Sequence, residues 1–158
     1  MHFIGGWSTA DKRALVNFDE RVLAVFRQHI QHRATDTEAG GLLLGEVRGD
    51  HLNLVEATFP TADDLRARYS FERLPQGHAT VAQKLWSESR GTVRYLGEWH
   101  SHPEEHPIPS GIDRSEWRRL ASDRKDKRAF LAVIVGRTDL YVELLPARGN
   151  GHVLVPCE

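Results

Sequence analysis

The chain has 158 residues, 40% hydrophobic and 27% charged, with 21 basic against 22 acidic side chains and a net charge of −1. That composition fits one ordinary folded domain over residues 1–158 and excludes a disordered or fibrous chain. The balanced charge gives no reason to expect nucleic acid or an anionic membrane as partner, and no stretch approaches the roughly 20 apolar residues of a membrane span. From Asp19 to His32, the apolar residues Val22, Leu23, Val25, Phe26 and Ile30 recur at helical spacing, which predicts a first helix. Gly40 to Val47 reads as a buried strand entered through glycines. His51 to Phe59 pairs with it across the Arg48-Gly49-Asp50 turn, forming a hairpin. After the polar stretch Thr61 to Arg68, Tyr69 to Arg73 is a short strand candidate. Pro75 to Ser89 carries Val81, Leu85 and Trp86 on a second amphipathic helix that Gly91 ends. Val93 to His102 is a strand, Ile112 to Ser122 a third helix, and Phe130 to Val135 and Leu140 to Leu145 are strands joined by a Gly-Arg-Thr-Asp turn. The order predicts an α/β domain with a mixed or mainly antiparallel sheet packed by helices.

The informative segment runs from Glu98 to Asp113. On a strand, the period of two puts His100 and His102 on one face and turns Ser101 to the other, so two imidazoles stand side by side as a metal requires. Pro103, Pro107 and Pro109 stiffen the crossing that follows. Ser110 opens the next helix, and Asp113 falls in its first turn, able to point back as a third ligand. Two neutral imidazoles and one carboxylate leave zinc an open fourth position, the pattern of a catalytic site. A carboxylate must then take a proton from water and pass it to a leaving amine, and Glu38, at the edge of the Gly40 strand, is the candidate general base.

Those residues resemble the JAB/MPN metalloproteases, whose JAMM signature is a distant Glu followed by His-x-His-x(7)-Ser-x(2)-Asp. His100, His102, Ser110 and Asp113 fit that spacing, and Glu38-Ala-Gly-Gly-Leu-Leu-Leu-Gly45 fits the family's Glu-x-x-Gly-x-Leu-x-Gly segment. The resemblance implies a cytidine-deaminase-like JAB/MPN fold over nearly the whole chain. It also implies Zn2+ on His100, His102 and Asp113, Glu38 as base, and Ser110 as a donor to the oxyanion of the tetrahedral intermediate. The short length and the residues flanking the motif look like the bacterial JAB proteins of antiphage or mobile-element operons. Such proteins accompany E1/E2-like ligases and cleave after the C-terminus of a conjugated protein, including the nucleotidyltransferase of CBASS operons. The same site leaves room for a small-molecule amidase or a peptidase that processes a ubiquitin-like or sulfur-carrier precursor. A non-catalytic MPN scaffold is disfavoured by the complete residue set.

Ser110-x-x-Asp113 is also a capping box, and the two roles can coexist. His102-Pro-Glu-Glu105-His106 matches the inverted zincin motif, but Pro103 and Pro107 oppose the helix it needs, so His106 is read as a loop residue. Glu46 is read as an ordinary strand-end charge and Trp99 as core, while Glu98 is a candidate partner of the ligand shell. Thr61 to Arg68 could border a substrate groove. A single cysteine, Cys157, excludes an intramolecular disulfide, a Cys-rich zinc module and the Cys-x-x-Cys pair of a zinc nucleobase deaminase. With no basic leader in Met1 to Ser8, it points to the cytoplasm.

Overall fold

The computed structural model describes residues 3–33, 35–60, 65–67, 70–72 and 75–157. In chain order the elements are β1 (Gly6–Ser8), β2 (Leu15–Phe18), α1 (Glu20–Gln28), β3 (Gly40–Arg48), β4 (His51–Ala57), β5 (Leu65–Ala67) and β6 (Ser70–Glu72). They continue with α2 (Pro75–Glu88), β7 (Arg94–Ser101), α3 (Gly111–Asp123), β8 (Phe130–Val135), β9 (Leu140–Leu145), β10 (His152–Val153) and β11 (Val155–Pro156). One mixed sheet runs β10-β9-β8-β7-β3-β4-β2-β1-β11, with β7·β8 and β2·β4 parallel and the other neighbours antiparallel. The expected α/β class is borne out, and the mixed option is the one realised.

The parity of the central strands sorts the core onto two faces. Leu131, Val133 and Val135 of β8 share one cluster with Leu43, Trp99 and the α1 residues Val22, Leu23 and Phe26. Phe130, Ala132 and Ile134 point the other way, against Trp117 and Ala121 of α3, while Leu42 and Leu44 pack under Ala82 and Leu85 of α2. All six residues of β8 are buried, as its uninterrupted apolar run requires. Gly97 is demanded by close approach, since a Cβ there would stand 1.8 Å from the Leu131 carbonyl oxygen. Gly49 supplies the positive φ, +62°, of the β3–β4 turn.

Several elements differ from expectation. Helix α1 begins after its N-cap Asp19 but ends at Gln28 rather than His32, because the His29 N–H closes back on the Phe26 carbonyl. Ile30 and Gln31 are thereby released into the interior. On α2 the expected apolar face is narrower: Leu85 packs inward, whereas Val81 is 37% and Trp86 53% exposed. Trp86 lies over Gly91, whose N–H donates to the Trp86 carbonyl. Of the stretch Thr61 to Arg68, residues 61–64 and 68 lie outside the described residues and 65–67 form β5. Tyr69 and Arg73 likewise lie outside, on either side of β6.

Candidate metal centre

The pairing of β3 with β7 assembles the site. Gly40 lies opposite His100, so extending the antiparallel register by two residues brings Glu38 opposite His102. The extension is held by real bonds: the Ser101 N–H donates to the Ala39 carbonyl at 2.8 Å, and the Ala39 N–H donates to Ser101 Oγ at 2.9 Å. Ser101 Oγ, fully buried, in turn donates to Gln31 Oε1 at 2.8 Å. Gln31 thus ties the end of the α1 segment to the strand that carries the histidines and fixes the backbone beside Glu38. Replacing Ser101 with Ala removes the acceptor of the buried Ala39 N–H and the hydroxyl that Gln31 Oε1 accepts, an expected loss of about 1–3 kcal/mol readable by urea unfolding. Unchanged stability would show that this triad does not anchor Glu38.

His100 and His102 lie on the α3 side of β7, as the period of two demands, and Trp99 faces the opposite core, 1% exposed. The two Nε2 atoms are 3.1 Å apart. Asp113 Oδ1 is 3.2 Å from His100 Nε2, and Oδ2 is 3.2 Å from His102 Nε2. Asp113 arrives there through the N-terminal capping box of α3: Ser110 Oγ accepts from the Asp113 N–H at 3.1 Å, and the Ser110 N–H donates to Asp113 Oδ2 at 2.8 Å. Capping therefore orients Asp113 while leaving the Ser110 hydroxyl proton free to donate elsewhere.

Glu38 completes the cluster, with ligand atoms of Glu38, His100 and His102 all within 4.8 Å of one another. Glu38 is 5% exposed, and burial, reinforced by the charges of Asp113 and Glu104 and opposed by His102, pushes its pKa up to about 7. Burial also raises Asp113, but hydrogen bonds from both histidines and from Ser110 hold its carboxyl well below the usual carboxylate range. The donor set fits a tetrahedral ion. The two Nε2 atoms 3.1 Å apart, each 3.2 Å from one of the two Asp113 oxygens, come close to the edge of roughly 3.3 Å that follows from zinc bond lengths near 2.0–2.1 Å. Two Nε2 atoms in contact with each other and with one carboxylate also lack protons enough for every contact to be a hydrogen bond, which a cation resolves.

The cluster lies in an open groove of about 1080 Å³ that Glu38, His100, His102, Ser110 and Asp113 all line. Ile108 and Ile112, 65% and 83% exposed, give this groove an apolar flank that spacing did not foretell. Glu98 also lines it and accepts from the Tyr95 hydroxyl at 2.9 Å. His106 is a loop residue paired with Asp139, as the prolines implied, and Glu46 pairs with Arg48 at the strand end. Sequence reasoning missed Gln31, which lies 70 residues from its partner Ser101, and Glu104, whose Oε1 is 2.8 Å from His102 Nδ1. Among the described residues, no helix is long and apolar enough to cross a membrane.

A family model described as prokaryotic homologs of the JAB domain matches residues 19–145. A Pseudomonas aeruginosa protein named CD-NTase/cGAS isopeptidase is 54% identical over 158 residues, covering all of both chains. Relatives with the same name from Vibrio cholerae and Escherichia coli are 41% and 40% identical, over 66% and 71% of this chain and 65% and 70% of their own. A solution structure of a Desulfitobacterium hafniense protein superposes with a TM-score of 0.61 at 20% identity, over 89% of this chain and 90% of that one, a likeness of fold.

Proposed function

The chain belongs to the prokaryotic homologs of the JAB domain, and we propose that it is a zinc-dependent isopeptidase that releases a CD-NTase joined through its C-terminus to another protein in a CBASS-type antiphage system. The observation that carries the chemistry is the convergence of His100, His102 and Asp113 on one point, with the buried Glu38 beside it. The end-to-end 54% identity to a CD-NTase/cGAS isopeptidase supports the substrate class. An E1/E2-like ligase that makes the conjugate is the partner system, and the cytoplasm its compartment.

Zinc held by His100, His102 and Asp113 would supply Lewis acidity to the scissile carbonyl and acidify water in the open position. Glu38 accepts a proton from the attacking water and delivers it to the departing lysine amine. The Ser110 hydroxyl donates to the oxyanion, and Ile108 and Ile112 offer apolar footing to the tail of the conjugated protein.

The two roles of Ser110 separate by substitution. Ser110→Asp keeps an N-cap acceptor but cannot donate when ionised, whereas Ser110→Ala loses both functions. The alanine variant is expected to lose about 1 kcal/mol of stability and the aspartate variant little, while both lose roughly 10²–10³ in turnover. Full activity in Ser110→Asp would reduce Ser110 to a cap. The activity itself is tested by intact mass spectrometry of a lysine-linked CD-NTase conjugate and of a linear fusion extended past the same C-terminus, each incubated with the zinc-loaded chain. Cleavage of the isopeptide establishes the proposal. Cleavage of the fusion alone makes the protein a precursor-processing peptidase, and cleavage of neither rejects hydrolysis.

A further inference from the structure

Glu104 is absent from the metal-binding triangle, yet its carboxylate sits on the far nitrogen of one corner, 2.8 Å from His102 Nδ1. We infer that Glu104 is a positioning residue for the metal centre, holding the His102 imidazole in the tautomer and rotation that present Nε2 as a bare lone pair. This rests on the zinc reading above. Both His102 nitrogens face a carboxylate, Nδ1 that of Glu104 and Nε2 that of Asp113; once a cation takes the Nε2 lone pair, the single N–H of the neutral imidazole belongs on Nδ1, where Glu104 is placed to accept it. Nε2 is the atom that faces His100 Nε2 and Asp113 Oδ2.

The loop that delivers Glu104 is built to hold it still. Pro103 precedes it with a fixed φ, and the Glu104 carbonyl accepts the Arg137 N–H at 2.8 Å. The next carbonyl, of Glu105, accepts the N–H groups of Thr138 and Asp139, and the Glu105 carboxylate accepts the Thr138 hydroxyl at 2.7 Å. Arg137 Nε donates to the Gln31 carbonyl at 2.8 Å, so the same clamp reaches the segment that anchors Glu38. Pro107 closes against Gly136, where a Cβ would come within 2.4 Å of Pro107 Cδ. The segment 103–107 is thus fastened along the β8–β9 turn. A surface ion pair fits poorly, because the donating histidine is 9% exposed and is itself a corner of the site. The Glu104 side chain is 43% exposed, so its removal costs little packing.

The test measures zinc affinity of the full chain by competition with a chromophoric chelator at one fixed pH, for wild type, Glu104→Ala and Glu104→Gln. Alanine is expected to lower affinity by about 10–100-fold, and glutamine, whose amide oxygen still accepts from Nδ1–H, to recover part of that loss. Long-range ¹H–¹⁵N spectra of the zinc-loaded proteins should show His102 protonated at Nδ1 in wild type and Glu104→Gln, with that slowly exchanging proton lost in Glu104→Ala. Equal affinities within about twofold, with the slowly exchanging Nδ1 proton retained in Glu104→Ala, overturn the inference while leaving the metal site standing. So does an equal loss in both variants accompanied by earlier melting of the metal-free proteins, which would make Glu104 merely structural. A wild-type chain that takes up no zinc overturns the inference together with the zinc reading.

Discussion

Glu38→Gln is expected to lose about 10²–10⁴ in turnover, the usual worth of a positioned general base, while gaining stability in the metal-free protein above neutral pH. Both effects come from one feature, a residue 5% exposed whose carboxyl pKa is pushed from an ordinary 4.5 to about 7, first by burial. Below pH 4.5 the carboxyl is neutral in both folded and unfolded chains and costs nothing. Between 4.5 and 7 the unfolded chain gives up its proton while the folded one keeps it, so stability falls as pH rises, and above 7 the whole cost is present. The gap corresponds to roughly 3 kcal/mol as an upper figure, which an uncharged glutamine avoids. Urea unfolding with a chelator present should therefore show Glu38→Gln more stable than wild type at pH 8, with the difference gone at pH 4. An equally active variant would show that Glu38 is not the base, and one less stable at pH 8 that its buried charge costs the fold nothing.

Removing the metal has the second large effect. Chelation is expected to abolish turnover and zinc to restore it. Zinc at about 1,000 times its Kd should stabilise the fold by roughly 4 kcal/mol, since the three donors come together only in the folded chain. For a chain of this size that is a rise in Tm on the order of 10 °C. Asp113→Asn isolates the ligand from the cap. The amide oxygen can still accept the Ser110 N–H, so α3 should form normally, while the anionic corner of the triangle is gone and zinc affinity falls by about 10²-fold or more. A variant that keeps both zinc and activity would remove Asp113 from the ligand set, leaving Glu38, His100 and His102 as the metal-binding group that the geometry also allows.

The local part of the site was legible in the chain because it obeys short periods. His100 and His102 share a face through the strand repeat, and Ser110 and Asp113 meet through the first turn of a helix. Glu38 is a different case, since its place beside His102 depends on how β3 pairs with β7, a register with an irregularity between Leu43 and Leu44 that no spacing encodes. Gln31 and Glu104 were invisible for related reasons. Gln31 reaches the site only because α1 stops at Gln28, and Glu104 only because its loop is fastened to the β8–β9 turn. Strands β1, β2, β5, β10 and β11 have two to four residues each, too few to express an alternation against their neighbours. On α2, Val81 and Trp86 satisfy helical spacing without facing the core, since small displacements around a helix decide between burial and exposure.

The central claim, removal of a protein attached through its C-terminus to lysine, is tested most directly in cells carrying the conjugating system and either this chain or its Glu38→Gln form. Peptide mass spectrometry would then be read for lysines bearing a C-terminal remnant of the CD-NTase. Remnants that accumulate with Glu38→Gln and are scarce with the unaltered chain are the expected result. Equal remnant levels in the two strains, with both proteins folded and zinc-loaded, would contradict the isopeptidase account.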